Sequence, residues 1–298
     1  CFWEKIMKDK IINPLLLLLT AIIWGSGFVA QSVGMNFVQP FTFDFSRCIV
    51  GGIFLAIYIM VMGKGSKKSK KSTEAVFIGG LCCGLCLFGG MTFQQIGIQY
   101  TEVGKAGFLT AMYIVLVPVL STMFLRKKTG IHIWLGVVLA VVGIYLLSIS
   151  SDSFTIAKGD IYEIICALMF ALHILVIDYF NTKADPVKIS CVQFFVCGIL
   201  SGVFMMTAEQ PQVQYILAAW QPILFAGIVS TGIGYTLQVV GQRNVNPTVA
   251  SLILSLESVV SAIAGLLILD QQLTQREIYG CICMFAAIVL AQLPIKNK

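Results

Sequence analysis

The residues of this 298-residue chain that could do chemistry are ionisable and amide side chains set inside long apolar runs. Glu257 lies near the middle of one such run. A charged carboxylate at that depth costs about 2.5–3.5 kcal/mol on insertion scales, so it must face a bundle interior or a cavity. Two roles fit it: an acid that binds a proton or cation for coupling, or a structural acid bonded to a neighbouring helix. His173 is also mid-run, and an imidazole can titrate near neutral pH. It either shares the coupling role with Glu257 or packs as a neutral, bonded side chain. Gln94 and Gln238 supply donors and acceptors together, suited to a polar molecule in a wet cavity or to bridging helices. Trp24, Phe28 and Gln31 follow at steps of four and three, on one helical face. An aromatic wall with a polar tip suits a ring-bearing or amphipathic ligand. Asp44 and Arg47 are three apart and, buried together, would form an ion pair of structural or gating character.

Several chemistries lack their residues. No Cys/His spacing fits a zinc site, and no metal or other cofactor is expected. The two histidines, His132 and His173, build no His-x-x-x-His motif, and no Gly-x-Ser-x-Gly motif occurs. The glycine pairs Gly51-Gly52, Gly79-Gly80 and Gly89-Gly90 precede no Lys-Ser/Thr pair, so no phosphate loop is present. The residues do not read as an enzyme. Most of the ten cysteines fall within apolar runs, where they act as small buried residues.

The elements that must hold these residues follow from composition. Apolar residues make up 58% of the chain and charged residues 11%, against about a quarter charged in a soluble domain. The fitting solvent is a lipid bilayer. A membrane helix needs roughly 20 mostly apolar residues, and spans fall near 14–34, 40–62, 74–97, 104–125, 131–150, 159–180, 186–208, 220–240, 247–268 and 274–294. Pro14, Pro40, Pro186, Pro222 and Pro247 sit near span starts, where proline is tolerated. Pro118 lies inside the fourth span and should kink it. Residues 1–13 read as a cytoplasmic segment. The first apolar run is long enough to remain as an anchor, and a start at Cys1 rather than Met leaves the amino terminus open. Of the twenty Lys and Arg, sixteen fall on one side of this layout and four on the other. Positive residues stay cytoplasmic, which places both termini there. The lysine-rich stretch 63–71 reads as a topology-fixing loop rather than a site for nucleic acid.

The chain also repeats itself. Gly90, Thr92, Gln94 and Gly97 form the pattern Gly-x-Thr-x-Gln-x-x-Gly, and Gly234, Thr236, Gln238 and Gly241 form it again, 144 residues later. The same offset pairs Ala106 with Ala250, Gly136 with Gly280 and Tyr113 with Glu257, which brings Tyr113 into the candidate cavity. Earlier, an offset of 146 pairs Ala21 with Ala167, Trp24 with Phe170, Pro40 with Pro186 and Gly52 with Gly198. A five-span unit ends on the side opposite its start. The second copy, 151–298, must therefore sit upside down relative to the first, 14–150. Inverted repeats of this kind belong to alternating-access carriers, with the substrate site near midplane where the copies meet.

At these residues the chain resembles the EamA-type branch of the drug/metabolite transporter superfamily. The resemblance rests on Ala21-Ile22-Ile23-Trp24-Gly25-Ser26-Gly27-Phe28, on Gln39-Pro40 with Arg47, on the stretch from Gly104 to Pro118, and on that from Pro247 to Ser258. Asp270-Gln271-Gln272 stands where many relatives have Gly-Glu-Arg, and Ser258 where relatives often have proline. The resemblance implies an all-α integral membrane protein with ten transmembrane helices in two inverted five-helix repeats around a central cavity. It implies a multi-pass protein of a bacterial plasma membrane that moves small metabolites or drugs, as an exporter. The expected partners are the bilayer and a small-molecule substrate, with a homodimer left open. A channel or structural subunit is the alternative, and an integral membrane enzyme a more distant one.

Overall fold

The computed structural model describes residues 2–62, 72–101, 103–125, 130–148, 158–268 and 274–292. Among these residues the regular structure is helical throughout, without a strand. The helices are α1 (Phe2–Gly34), α2 (Pro40–Met62), α3 (Thr73–Gly97), α4 (Val103–Ala111 and Tyr113–Leu125), α5 (Ile131–Ser148), α6 (Lys158–Asn181) and α7 (Pro186–Ala208). After a short turn of helix at Val213–Ala218 come α8 (Trp220–Gly241), α9 (Pro247–Leu254 and Glu257–Ile268) and α10 (Gln275–Gln292). Eight described helices are long and apolar enough to cross a membrane. The apolar stretches Ile131–Leu146 of α5 and Ile278–Leu290 of α10 are shorter.

The distribution of side chains is that of a protein dissolved in lipid. Ile53, Met123, Ile199 and Val289 point outward and are half exposed or more, and Leu85 is close to half exposed. Asp44, Arg47, Glu163, His173, Gln193 and Glu257 are buried. A water-soluble protein of this size rarely exposes contiguous apolar faces on this scale, whereas in a bilayer the polar groups must find partners inside.

Four helices differ from regular expectation. The first begins at Phe2, so Pro14 lies within α1 rather than at its start, and residues 2–13 continue the helix. α4 is interrupted at Met112, not at Pro118. Proline at 118 lacks the N–H that would bond the carbonyl of Ile114 and crowds that carbonyl. The chain tightens just before it, with Met112 N–H on Leu109 O and Val115 N–H on Met112 O. α9 is interrupted at Ser255–Leu256. There the hydroxyls of Ser251, Ser255, Ser258 and Ser261 each donate to the carbonyl three residues back, at 2.7–2.9 Å, competing with the backbone ladder. These four hydroxyl bonds flank the interruption of the helix. α8 winds as a π-helix over Phe225–Tyr235 between two α-helical pieces.

The helices pack in matched pairs. α3 lies on α6 as α8 lies on α1, and α3 lies on α7 as α8 lies on α2. α1 lies on α9 as α6 lies on α4. α2 meets α7, and α5 meets α10. The duplicated motif shows how glycine permits two of these contacts. A Cβ on Gly90 would come within 2.9 Å of the Phe170 ring, and one on Gly234 within 2.9 Å of Trp24 Nε1. Small residues of this kind let helices in lipid approach closely.

The ends of the apolar spans meet in two groups. Asn13 donates to the Arg243 carbonyl and Asn181 to the Val239 carbonyl. At the opposite ends, Glu209 takes the backbone N–H groups of Phe41 and Thr42 at 2.7 and 2.8 Å and the Thr42 hydroxyl at 2.6 Å. This carboxylate caps α2 in place of a local N-cap residue. Thr101 bonds Asp160, and Arg276 lies over the Tyr145 ring.

Candidate functional site

The site is built where the two broken helices and the duplicated motif converge. Tyr113 opens the second piece of α4, and Glu257 opens the second piece of α9. The Tyr113 hydroxyl donates to Glu257 Oε1 at 3.0 Å, and the two residues are 144 apart in sequence. Repeat equivalents therefore touch each other. Both breaks, at Met112 and at Leu256, hold the same repeat position. Gly25 of α1 presses on this point: a Cβ there would sit 2.5 Å from Val260 Cβ and 2.7 Å from the Glu257 carbonyl oxygen.

Beside this bond lies an internal cavity of about 20 Å³, room for about one water. Its walls are Trp24, Phe28 and Gln31 of α1, Arg47 of α2, Gln94 of α3 and Tyr113 of α4. Phe170 and Ile174 of α6, Ser230, Tyr235 and Gln238 of α8, and Glu257 of α9 complete it. Four repeat pairs contribute both members to the wall: Trp24 and Phe170, Phe28 and Ile174, Gln94 and Gln238, and Tyr113 and Glu257. The aromatic part is continuous, with the Trp24 and Tyr235 ring centroids 4.5 Å apart and Phe170 stacked on Tyr235 at 6.4 Å.

Polar groups are supplied to this space unevenly. Arg47 Nη1 donates to Gln31 Oε1 at 3.1 Å, and Arg47 Nη2 pairs with Asp44 Oδ1 at 2.7 Å. Asp44 lies behind the wall and Arg47 on it, so the expected ion pair forms and its cation also reaches the cavity. Gln94 Nε2 donates to Thr110 Oγ1 at 3.3 Å. The indole N–H of Trp24 and the amide oxygen of Gln238 have no hydrogen-bond partner among the described residues. A buried donor and a buried acceptor left unbonded are costly, and both edge the space a ligand would fill.

Seven of the eight residues expected at the cavity from sequence stand on its wall. His173 stands behind it. Its Nε2 lies 3.0 Å from Gln193 Oε1, and its ring meets Tyr235 edge-on at 6.0 Å. The partners of His173 and Glu257 are thus different groups, and the described hydrogen bonds do not join the two. Sequence reading missed Phe170, Ile174, Ser230 and Tyr235. The offset of 146 that pairs Trp24 with Phe170 also carries Phe28 to Ile174 and was the signal for both. Ser230 and Tyr235 lie on the π-wound part of α8, whose pitch differs from the 3.6 residues per turn used to assign faces. Among the described residues no group of three or more His, Cys, Asp or Glu is placed to hold a metal ion.

Known proteins share this architecture. The EamA-like transporter family matches residues 12–149 and again residues 157–293. An uncharacterized transporter of Archaeoglobus fulgidus is 30% identical over 282 residues, covering 94% of this chain and 85% of that protein. The uncharacterized transporter YoaV of Bacillus subtilis is 23% identical, covering 90% of this chain and 92% of that protein. A crystal structure shares the fold with a TM-score of 0.79 at 16% identity, covering 95% of this chain and 99% of its own.

Proposed function

The chain belongs to the EamA-like transporter family, and from that premise we propose that it is a secondary carrier exporting small, ring-bearing polar molecules by alternating access. That it is a multi-pass membrane protein of a transporter family follows from its apolar helices and its relatives. Beyond this, we propose that the chain crosses the membrane ten times, with its second half inverted relative to its first.

The observation that carries it is the Tyr113–Glu257 bond between repeat equivalents at the wall of a small cavity. Two units related by a two-fold axis bring residues on that axis against their own equivalents, and this contact fits such an axis. With five crossings each, such units are inverted with respect to the bilayer. The exchange of helix contacts between halves and the tandem family match support this reading. So does the grouping of span ends: Asn13 with Arg243 on one side, and Phe41 with Glu209 on the other.

The cavity has room for about one water, whereas small-molecule sites commonly span about 300–1,000 Å³. A metabolite enters only if the wall parts, and a two-fold arrangement lets it part toward either face. Trp24, Phe28, Phe170 and Tyr235 offer flat apolar surface. Gln31, Gln94, Gln238, Arg47 and Glu257 offer donors and acceptors to a polar substituent. Glu257 can also take up a proton and so tie transport to the proton gradient. Both termini then face the cytoplasm of a cell membrane.

Purified protein in liposomes tests this. Saturable uptake that is stimulated by substrate on the far side is the expected result. Conductance that rises without saturation makes the protein a channel. The absence of flux and counterflow across a panel of aromatic and heterocyclic metabolites overturns the carrier.

A further inference from the structure

Glu163 is a fully buried carboxyl on α6 that takes no part in the cavity wall. Its Oε2 accepts a 2.9 Å bond from Thr110 Oγ1 of α4. Thr110 Oγ1 in turn accepts from Gln94 Nε2, and Gln94 lines the cavity. Glu163 Oε1 has no hydrogen-bond partner among the described residues. The last residue of α3, Gly97, lies against this group: a Cβ there would sit 2.5 Å from Oε1. One turn outward, Gly159 packs on the Gly97 carbonyl, with a Cβ position 2.9 Å from it. The carboxyl therefore sits in the joint where the end of α3 closes on the start of α6.

The repeat supplies a control within the same molecule. The offsets carry Glu163 to Leu17, Thr110 to Leu254 and Gly97 to Gly241. In that equivalent joint a Cβ on Gly241 would meet Leu16, Leu17 and the Asn13 carbonyl. Leu17 and Leu254 are both fully buried in one apolar cluster. One joint is held by a hydrogen-bonded carboxyl and the other by leucines.

The remaining ionisable groups near Glu163 are mostly acids or thiols. Asp160 lies one turn outward on α6 and bonds Thr101. Cys166 lies one turn inward, its Sγ 3.8 Å from Thr110 Oγ1. Tyr113 of α4 and Glu257 of α9 are bonded to each other at the cavity wall. Lys158 stands over the rings of Tyr100 and Tyr162. A neutral acid is readily held in a dry joint. A carboxylate with one oxygen unbonded is costly there, and the cost is relieved when the joint parts and water reaches it.

We propose that Glu163 is a proton-binding site, distinct from Glu257, that controls the α3–α6 joint: protonated it holds that end of the cavity shut, and ionised it opens it. The idea rests on the alternating-access reading, since it assigns the two joints to the two faces. Hydrogen–deuterium exchange on the full chain in lipid nanodiscs tests it without reading transport. After correction for intrinsic rates, exchange in residues 94–101 and 158–166 rises several-fold from acid to alkaline pH. Residues 12–20 and 238–245 stay level. Glu163→Gln abolishes the rise, and Glu257→Gln retains it. Thr110→Val, which removes the donor to the carboxyl together with the acceptor of Gln94 Nε2, displaces its midpoint and serves if Glu163→Gln does not fold. A flat wild-type response, a response that survives in Glu163→Gln, or one lost in Glu257→Gln overturns the proposal. A protein that carries nothing in liposomes but shows this exchange pattern would sink the carrier and leave the proton site standing.

Discussion

Tyr113 and Glu257 occupy the same position in the two halves of the chain, 144 residues apart, and are bonded to each other at 3.0 Å. In a two-fold arrangement only residues on the axis can meet their own equivalents. In the two-fold arrangement proposed above the axis would pass through a phenol and a carboxyl, and the repeat is chemically asymmetric at this contact. One half contributes an acid that can carry a proton; the other contributes the hydroxyl that steadies it.

That asymmetry gives the first prediction. Glu257→Gln keeps the volume and removes the ionisation. Liposome uptake by this variant should be independent of pH, while size-exclusion profiles and thermal unfolding remain those of folded protein. Uptake that tracks pH as in the parent would end the coupling role of Glu257.

Tyr113→Phe removes the hydroxyl donor and leaves the ring. Hydrogen bonds to charged groups contribute about 1.5–3 kcal/mol, so a loss of roughly that size is expected when Glu257 is ionised. Thermal unfolding of the variant against the Tyr113→Phe/Glu257→Gln pair measures the coupling. An additive pair would show that the bond contributes nothing.

Arg47 and Asp44 form a buried pair at 2.7 Å. Removing one partner of such a pair costs about 3–5 kcal/mol because the other charge is left alone. Arg47→Met should therefore lose much of the folded protein, and Asp44→Asn in the same chain should restore part of it. A double variant no more stable than the single one would contradict this account.

Gly25 and Gly27 stand two residues apart on α1 and should differ sharply. A Cβ at Gly25 meets Val260 Cβ at 2.5 Å and the Glu257 backbone oxygen at 2.7 Å, whereas at Gly27 the nearest atom is Ser230 Oγ at 3.4 Å. Forcing extra volume into a packed contact typically costs about 1–3 kcal/mol. Gly25→Ala should unfold at clearly lower temperature than the parent, and Gly27→Ala close to it.

Glu209 accepts three hydrogen bonds at the start of α2. Loss of a capping side chain costs about 0.5–2 kcal/mol. Glu209→Ala should lower stability by at least that much and speed amide exchange at Phe41 and Thr42. Glu209→Gln, which keeps an acceptor, should do so less. Unchanged exchange at these two amides would refute the cap.

The sequence by itself determined the class of protein and named much of the wall of the candidate cavity. Apolar runs of bilayer length need lipid as their solvent, and a duplicated Gly-x-Thr-x-Gln-x-x-Gly motif names Gln94 and Gln238 as equivalents. Regular pitch in α1 sets Trp24, Phe28 and Gln31 on one face, and all three line the cavity. Tertiary structure decided which walls these faces meet. It put Arg47 on the cavity and His173 behind it, displaced the break of α4 from Pro118 to Met112, and brought Ser230 and Tyr235 in on a π-wound stretch. It also set Glu163 in a joint where its repeat equivalent is Leu17. The physical reason is that apolar periodicity separates buried from solvated faces when the solvent is water. In a bilayer the outward and inward faces are both apolar, so the pattern is flat. The inward face is then chosen by long-range packing of small residues and by the need of each buried polar group for a partner.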